Sequence, residues 1–499
     1  MSQRVLFLQK LKLRNYICYG MGDIFGGGAF VLIGTFFMIF LTNNVGLSPI
    51  LAGLLFGFGR FWMAITDPFF GNLSDRTNTR FGRRRVFFLV GIIPIIITFI
   101  PMWMTPLKVG VNNVTDIQAF IYYLTMYCIF DIVYSMVITP YAALIADMTN
   151  EYNERVRLSA FRMGFSQFSS ILATSVAPII LATYTYSDKA YIIMATMFSI
   201  LYAIVWIAVF FGTKEITISN KIVKQNKETF VSKITTLVYS FASAFKNKSF
   251  RAQLGLYLFA FTAVDFLMTL SVYFIKTYLE KPELVSYIST MWLAQICVLP
   301  VYVFIANKFS QATSYRIGAV IWLLSMLGLL LLNQNNATAL TISISFILIG
   351  VGLSPCYMIP MAMLSFVTEV DVLLSKERRT GVYAGAMSSA RKVSQGLIVL
   401  PLIGLILQMI GYNPHLAYQS ASTLFSLRYV FIFVPIILIL IGIYFSTRFK
   451  ITPKNFEIIK EEISRLEKGG SKAEVNQEVK IVCEDLTGTK YENLYKKVK

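Results

Sequence analysis

Ionisable residues interrupt several long apolar stretches of this 499-residue chain. The acids are Asp23, Asp67, Asp131 and Asp265, and the bases are Arg60, Arg162, Arg391 and Lys392. Burying a charge in hydrocarbon is costly, so such residues typically mark the path of an ion or a polar substrate. Because unpaired buried charges are unfavourable, the near balance of signs also indicates that some of these residues form ion pairs.

Asp67 is the strongest candidate for a transported cation or proton. It precedes Pro68, which lacks a backbone N–H and bends a helix, so polar backbone groups are left beside the carboxyl group. The alternative is a structural ion pair between Asp67 and Arg60 or Arg162. For Asp131 and Asp265, a structural pair and a role in substrate binding are equally open.

The elements that position these residues are long apolar helices, since about 20 apolar residues span a hydrocarbon layer of about 30 Å. The sequence, 56% hydrophobic and 14% charged, predicts an all-α membrane protein with twelve transmembrane helices. The predicted helices cover residues 16–41, 51–73, 86–104, 117–146, 159–182, 191–211, 253–275, 287–306, 315–332, 339–366, 381–410 and 427–445.

These helices predict two halves of six. The predicted domains are a six-helix half at 1–212, a cytoplasmic linker at 213–251 with an amphipathic stretch at 230–245, a second half at 252–447, and a cytoplasmic tail at 448–499. In the tail, Phe456, Ile459, Ile463 and Leu466 share one face of a single predicted amphipathic helix.

The formal charge of +19 is explained by basic residues in loops that set the orientation of the helices in the membrane. It therefore does not indicate a nucleic-acid partner. Most of the 45 Lys and Arg residues fall in the tail and in loops of one side, which predicts both termini in the cytoplasm of a multi-pass cell-membrane protein. Five scattered cysteines predict neither a disulfide framework nor a metal site. The sole histidine, His415, falls in an outer loop, and no catalytic motif predicts an enzyme.

The loop after the second predicted helix carries a spaced motif of glycines and charges. Its residues are Gly71, Asp75, Arg76, Arg80, Gly82, Arg83 and Arg84, in the pattern G-x-x-x-D-R followed by R-x-G-R-R. This pattern resembles the loop signature of the major facilitator superfamily, where it ties the two halves together on one side. We therefore predict a major facilitator fold with a cytoplasmic gate motif.

More narrowly, the chain resembles the glycoside-pentoside-hexuronide:cation symporter family over nearly its whole length. The matching motifs are YGMGDIFGG at Tyr19, GLS at Gly46, the run from Gly59 to Arg85, TPYAALIADMT at Thr139, ERVRLSAFR at Glu154 and RKVSQ at Arg391. The resemblance implies cation-coupled uptake of a sugar or glycoside by alternating access, with the substrate bound near the bilayer midplane.

The resemblance also implies a cation-coupling site at Asp67, Thr66, Ser135 and Lys392. Met63 stands where sodium-coupled members of the family carry a further acid. A thioether is a poor ligand for a hard ion, whereas a desolvated carboxyl group can carry a proton. We therefore expect H⁺ to be the coupling ion, with Na⁺ as the alternative, and no further cofactor.

The substrate-binding candidates are Asp23, Arg60, Trp62, Asp131, Tyr141 and Arg162. Trp62 and Tyr141 could offer an aromatic face to a sugar ring. The acids that bind sugar in the family fall here at Gly27 and Ile138, so that recognition is not preserved position by position. Alternatives are a lysolipid or other amphiphile transporter of the same fold, or a non-transporting membrane sensor. We expect a functional monomer in the lipid bilayer.

Overall fold

The structure, a computed structural model, describes residues 11–149, 151–215, 243–377, 379–416 and 418–495. Within these ranges, twelve helices are long and apolar enough to cross a membrane. They are α1 (Leu13–Asn44), α2 (Pro49–Arg76), α3 (Arg85–Met102), α4 (Asp116–Met148), α5 (Tyr152–Thr183), α6 (Asp188–Gly212), α7 (Lys248–Tyr278), α8 (Pro282–Lys308), α9 (Gln311–Leu331), α10 (Ala339–Ser375), α11 (Thr380–Met409) and α12 (Ala421–Arg448). The predicted twelve-helix fold is confirmed.

The helices group into two compact units. Of the residues that the structure describes, the first unit contains those between 11 and 215 and between 404 and 416, and the second contains those between 243 and 403 and between 418 and 495. In the first unit α1 packs on α5, α2 packs on α4, and α3 packs on both α4 and α6. In the second unit α10 packs on α7, α8 and α9, and α12 packs on α7 and α9.

Side-chain caps explain why several helices begin outside their apolar stretch. The Asn247 carboxamide accepts hydrogen bonds from the backbone N–H groups of Ser249 and Phe250, so α7 begins at Lys248 and not at the predicted 253. Thr115 caps α4 in the same way and forms a capping box with Gln118. These caps satisfy amide donors that have no partner inside the helix, so polar residues extend the helix beyond the membrane core.

The tail contains two helices where the sequence pattern predicts one. The predicted helix is α13 (Pro453–Glu467), which buries Ile459, Ile463 and Leu466. The additional helix is α14 (Gln477–Thr487). Asp485 of α14 forms salt bridges of 2.7 Å with Lys248 and with Lys450, so the tail is docked on the second unit. Of the amphipathic stretch predicted at 230–245, residues 230–242 lie outside the described part of the chain.

Candidate functional site

Two helices of the first unit, α2 and α4, bring hydroxyl groups to the predicted coupling residues. The hydroxyls of Thr66 and Ser135 lie 2.9 Å apart, and both residues are buried. One turn further along α4, the Thr139 hydroxyl donates to Asp67 Oδ1 over 3.3 Å. Asp67 is half-buried. Since oxygens suit protons and hard cations alike, this cluster can hold either.

Met63 faces the same region one turn before Asp67 and is 5% exposed. Its sulfur lies 3.7 Å from Nη1 of Arg60. No group of three or more His, Cys, Asp or Glu side chains that could hold a metal ion occurs within the described part of the chain. Among the predicted coupling residues, Asp67 is the acid.

A second cluster joins α1, α4 and α5 through an ion pair. Arg162 Nε lies 3.1 Å from Asp23 Oδ1, and the guanidinium lies over the Tyr141 ring at 5.1 Å. Tyr141 also stacks on Tyr19 with ring centroids 4.7 Å apart, and its hydroxyl donates to the Tyr19 carbonyl over 2.8 Å. Tyr141 is fully buried, so its ring is not accessible in this conformation.

The remaining substrate candidates of the first unit lie on α2 and α4. Trp62 is half-buried. Asp131 is 1% exposed, and its Oδ2 lies 3.0 Å from where a Cβ would sit on Gly59. Arg60 is 4% exposed and its guanidinium stacks on Phe30 at 3.7 Å.

Lys392 belongs to the second unit, on α11, beside a buried ion pair. Arg391 Nη2 lies 2.7 Å from Asp265 Oδ1, and Gln395 donates to the same oxygen over 2.9 Å. The Asp265–Arg391 pair is thus formed between α7 and α11. Gln395 begins a short π-helical segment of α11, Gln395–Val399.

The predicted gate motif forms a charge cluster at one end of the first unit. Arg84 lies 2.8 Å from Asp75, and both Arg83 and Arg84 form ion pairs with Asp147 at the end of α4. The hydrogen bond to Asp147 raises the pKa of Arg83 above its ordinary value. Of the other motif arginines, Arg76 and Arg80 are exposed, and Arg80 lies over the Phe81 ring at 4.7 Å.

Glu215, at the exit of α6, completes this cluster. Its carboxylate accepts hydrogen bonds from the backbone N–H groups of Arg83, Arg84 and Arg85, each over 2.9 Å. It thereby caps the start of α3. Gly82 has a φ of +105°, and a Cβ there would lie 2.6 Å from Glu215. The glycine of the motif is therefore required by the backbone conformation, and a side chain there would also displace the Glu215 carboxylate. A Cβ at Gly71 would lie 3.6 Å from Thr139, an ordinary van der Waals distance, so close packing does not require a glycine there.

Sequence reasoning missed several partners of these sites. They are Thr139 at the coupling cluster, Asp147 and Glu215 at the gate motif, Gln395 beside Asp265, and the group formed by Asp371, Arg379 and Tyr383 at the end of α10 in the second unit. Asp147 and Asp371 could have been proposed from the sequence, because each lies at the polar end of a long apolar helix. Their arginine partners are distant in sequence or in a loop.

Twelve apolar helices with buried ion pairs define the class, a multi-pass membrane transporter. A family model described as MFS/sugar transport protein matches residues 18–453, and the chain belongs to this family. The resemblance drawn from the sequence motifs is thereby confirmed.

Curated relatives extend over nearly the whole chain. An uncharacterized symporter of Synechocystis sp. is 27% identical over 531 residues, with 91% of this chain and 96% of the relative covered. The sodium-dependent lysophosphatidylcholine symporter 1-A of Danio rerio is 22% identical, with 96% and 92% covered. A putative sulfoquinovose importer of Escherichia coli is 26% identical, with 91% and 94% covered.

A solved structure supports the same fold. The crystal structure of a D-xylose-proton symporter is similar with a TM-score of 0.58, 14% identity, and coverage of 85% of this chain and 96% of that one. At this identity the likeness shows the major facilitator fold alone.

Proposed function

We propose that the protein is a secondary transporter that couples the uptake of a sugar or glycoside to protons. The observation that carries the proposal is that Asp67 accepts a hydrogen bond from the Thr139 hydroxyl, while the neighbouring position one turn earlier, Met63, carries no further acid. A single carboxylate with hydroxyls can bind and release one proton, whereas Na⁺ favours several charged or carbonyl oxygens.

Protonation of Asp67 would change the contact between α2 and α4. The charged carboxylate accepts the hydrogen bond from Thr139, but a protonated carboxyl group also becomes a donor. The new O–H donor needs an acceptor of its own, which alters the hydrogen bonding of Asp67 between the two helices. This rearrangement is how we expect proton binding to bias the protein between its inward-open and outward-open states.

The substrate assignment is supported by the family and by the importer among the relatives. Asp23, Arg162, Trp62, Asp131 and Arg60 are the proposed substrate-binding residues of the first unit. We also propose that both termini are cytoplasmic, that the protein resides in the cell membrane, and that a monomer is functional.

The test is uptake into proteoliposomes of a panel of radiolabelled neutral and acidic sugars, with the pH gradient and the sodium gradient imposed separately. We expect at least one sugar to accumulate with an inward proton gradient, and a protonophore to abolish this accumulation. Failure of every sugar under both gradients would contradict the proposal.

A second candidate, an amphiphile as substrate, is favoured by an open apolar depression of about 390 Å³ along one face of α5. It is lined by Ala160, Phe161, Gly164, Phe165 and Phe168. The lysophosphatidylcholine symporter among the relatives agrees with such a cargo. Uptake of labelled lysophosphatidylcholine without any sugar uptake would establish this candidate in place of the first.

A further inference from the structure

Tyr141 is a buried aromatic residue that lies beneath a charged group of the candidate substrate site. It belongs to α4 and is fully buried, so a substrate does not contact its ring directly in this structure. The Arg162 guanidinium of α5 lies over this ring at 5.1 Å, and the Arg162 side chain is 29% exposed. A substrate can therefore reach Arg162, whereas Tyr141 can affect a substrate only through the residues that it holds.

The Arg162 side chain is held by contacts from two other helices. Its Nε donates to Asp23 Oδ1 of α1 over 3.1 Å, and the Tyr141 ring of α4 faces the guanidinium. An arginine side chain has several rotatable bonds, so each contact removes conformations that the free side chain would adopt. The direction of the guanidinium N–H groups decides which hydrogen bonds a ligand can accept, because these groups form a rigid planar fork.

The Tyr141 ring is itself fixed by Tyr19 of α1. The Tyr141 hydroxyl donates to the Tyr19 carbonyl over 2.8 Å, and the Tyr19 hydroxyl donates to the Tyr141 carbonyl over 3.3 Å. The two rings stack with centroids 4.7 Å apart. These reciprocal contacts fix the position of α1 against α4, and they also set the plane of the ring on which Arg162 lies.

Gly22 of α1 leaves the space that the Tyr141 ring occupies. A Cβ at Gly22 would lie 2.6 Å from Cε2 of Tyr141, which is closer than two carbon atoms can approach without a shift of the ring or the helix. Gly34 of the same helix differs, because a Cβ there would meet nothing within 4 Å. The close contact of α1 with the ring is therefore a feature of Gly22 and not of every glycine in this helix.

We infer that Tyr141 is a positioning residue that orients the Arg162 guanidinium for substrate binding, and that Gly22 permits this arrangement. The inference rests on the proposed function, in which Arg162 binds the substrate. It gives Tyr141 a different role from the direct contact with a sugar ring that the sequence suggested. The ring holds the guanidinium, the hydroxyl holds the ring, and the missing side chain at Gly22 lets both contacts form.

The first test measures KM and Vmax of sugar uptake in proteoliposomes for two matched pairs of variants. Tyr141→Leu removes the ring. Its control, Tyr191→Leu, makes the same change at a fully buried tyrosine of α6 whose ring packs on Phe40 with centroids 4.8 Å apart. Gly22→Ala displaces the ring without touching Arg162, and Gly34→Ala is its control on the same helix.

We expect Tyr141→Leu to raise KM about tenfold, because the guanidinium loses its cation–π contact. Tyr141→Phe, which loses only the hydroxyl, should raise KM about threefold, and Gly22→Ala should raise it to a level between these two. The two control variants should keep the KM of the unmodified protein, since loss of folded protein alone lowers Vmax. Unchanged KM in Tyr141→Leu and Gly22→Ala, or equal increases in the controls, would overturn the inference.

Chemical labelling of Arg162 gives a readout that is independent of transport. Phenylglyoxal reacts with accessible guanidinium groups, and peptide mass spectrometry of the detergent-solubilised protein gives the labelling rate at each arginine. The rate at Arg162 should rise several-fold in Tyr141→Leu and in Gly22→Ala, and it should not change in the two control variants. Arg84 is the internal standard for the folded state, because its side chain is 9% exposed and pairs with Asp147.

The labelling result separates this inference from the proposed function. If no sugar is transported, the proposed function fails, and the labelling rate still decides whether Tyr141 orients Arg162. Faster labelling of Arg162 with an unchanged rate at Arg84 supports the inference, and an unchanged rate at Arg162 overturns it. If both arginines label faster, the variant is unfolded, and the smaller change Tyr141→Phe decides by the same criterion.

Discussion

Thr139 on α4 donates its hydroxyl to Asp67 on α2 over 3.3 Å, which ties the two helices together at the acid predicted to carry the coupling ion. If Asp67 takes up the transported proton, a side chain of the same size that cannot ionise should uncouple transport. Asp67→Asn should abolish accumulation against a gradient and leave substrate exchange across the membrane measurable. The control Thr139→Val should weaken coupling less, because the carboxyl group remains. Full active uptake by Asp67→Asn would reduce Asp67 to a packing role.

Met63 determines the choice of ion in this account. Met63→Asp places a second carboxylate one turn from Asp67, and two carboxylates supply a hard cation with several oxygens. We expect this variant to acquire sodium-stimulated uptake, measured at fixed pH with choline as the replacement cation. Met63→Leu, which keeps the apolar volume, should remain insensitive to sodium. Strong sodium stimulation of the unmodified protein would contradict the role given to Met63.

The buried ion pairs of Asp147 should stabilise the gate motif. Asp147 and Arg84 have side chains that are 6% and 9% exposed, so removing the carboxylate leaves a buried cation with fewer partners. Breaking such a pair costs about 3 kcal/mol, and Asp147→Asn should clearly lower the thermal unfolding temperature. Asp188→Asn is the matched control, since Asp188 pairs with Lys108 where both side chains are about one third exposed. Equal effects of the two variants would argue against a buried gate cluster.

Docking of the tail should weaken at acidic pH. Burial alone would raise the pKa of Asp485, but hydrogen bonds from Lys248 and Lys450 outweigh it and lower the pKa. Because the pKa is lower in the docked state, the contact stabilises docking above the ordinary Asp pKa of about 3.9 and is lost as the pH falls below it.

Hydrogen exchange of α14 amides measures this docking. Asp485→Asn should speed exchange a few-fold at neutral pH and remove the corresponding acid sensitivity. Glu478→Gln is the control, because Glu478 pairs with Lys454 where the side chains are 62% and 78% exposed. If both variants exchange alike, the Asp485 contacts do not hold the tail.

The predicted orientation can be checked with reporter fusions. Fusions after Thr79, Thr229 and Lys472 should report the cytoplasm, because basic loops remain inside, and a fusion near Asn336 should report the outer side. If Thr229 and Asn336 reported the same side, the proposed topology would be wrong.

The sequence predicted the parts of the fold that depend on local composition. Twelve apolar stretches and the spacing around Asp67 and Asp75 gave the helices, the coupling candidate and the gate motif. The ends of the helices were harder to predict. For example, α10 continues past the predicted residue 366 to Ser375 and includes the polar residues Glu369 and Asp371. A hydropathy profile does not detect the part of a helix that consists of polar residues.

Partners distant in sequence could not be predicted from one chain. Glu215 caps a helix that begins 130 residues earlier, and nothing in its own sequence surroundings indicates this contact. Helix α14 was missed because its apolar residues are few and are buried by packing on α7, α10 and α13, which are distant or separate elements.

Substrate-driven proton movement tests the central claim most directly. Proteoliposomes without any imposed gradient, in sodium-free buffer, receive the transported sugar while a pH indicator reports the external medium. The account predicts external alkalinisation as the sugar enters, abolished by a protonophore and by Asp67→Asn. Sugar entry without any proton movement, or entry that requires sodium, would contradict proton-coupled symport through Asp67.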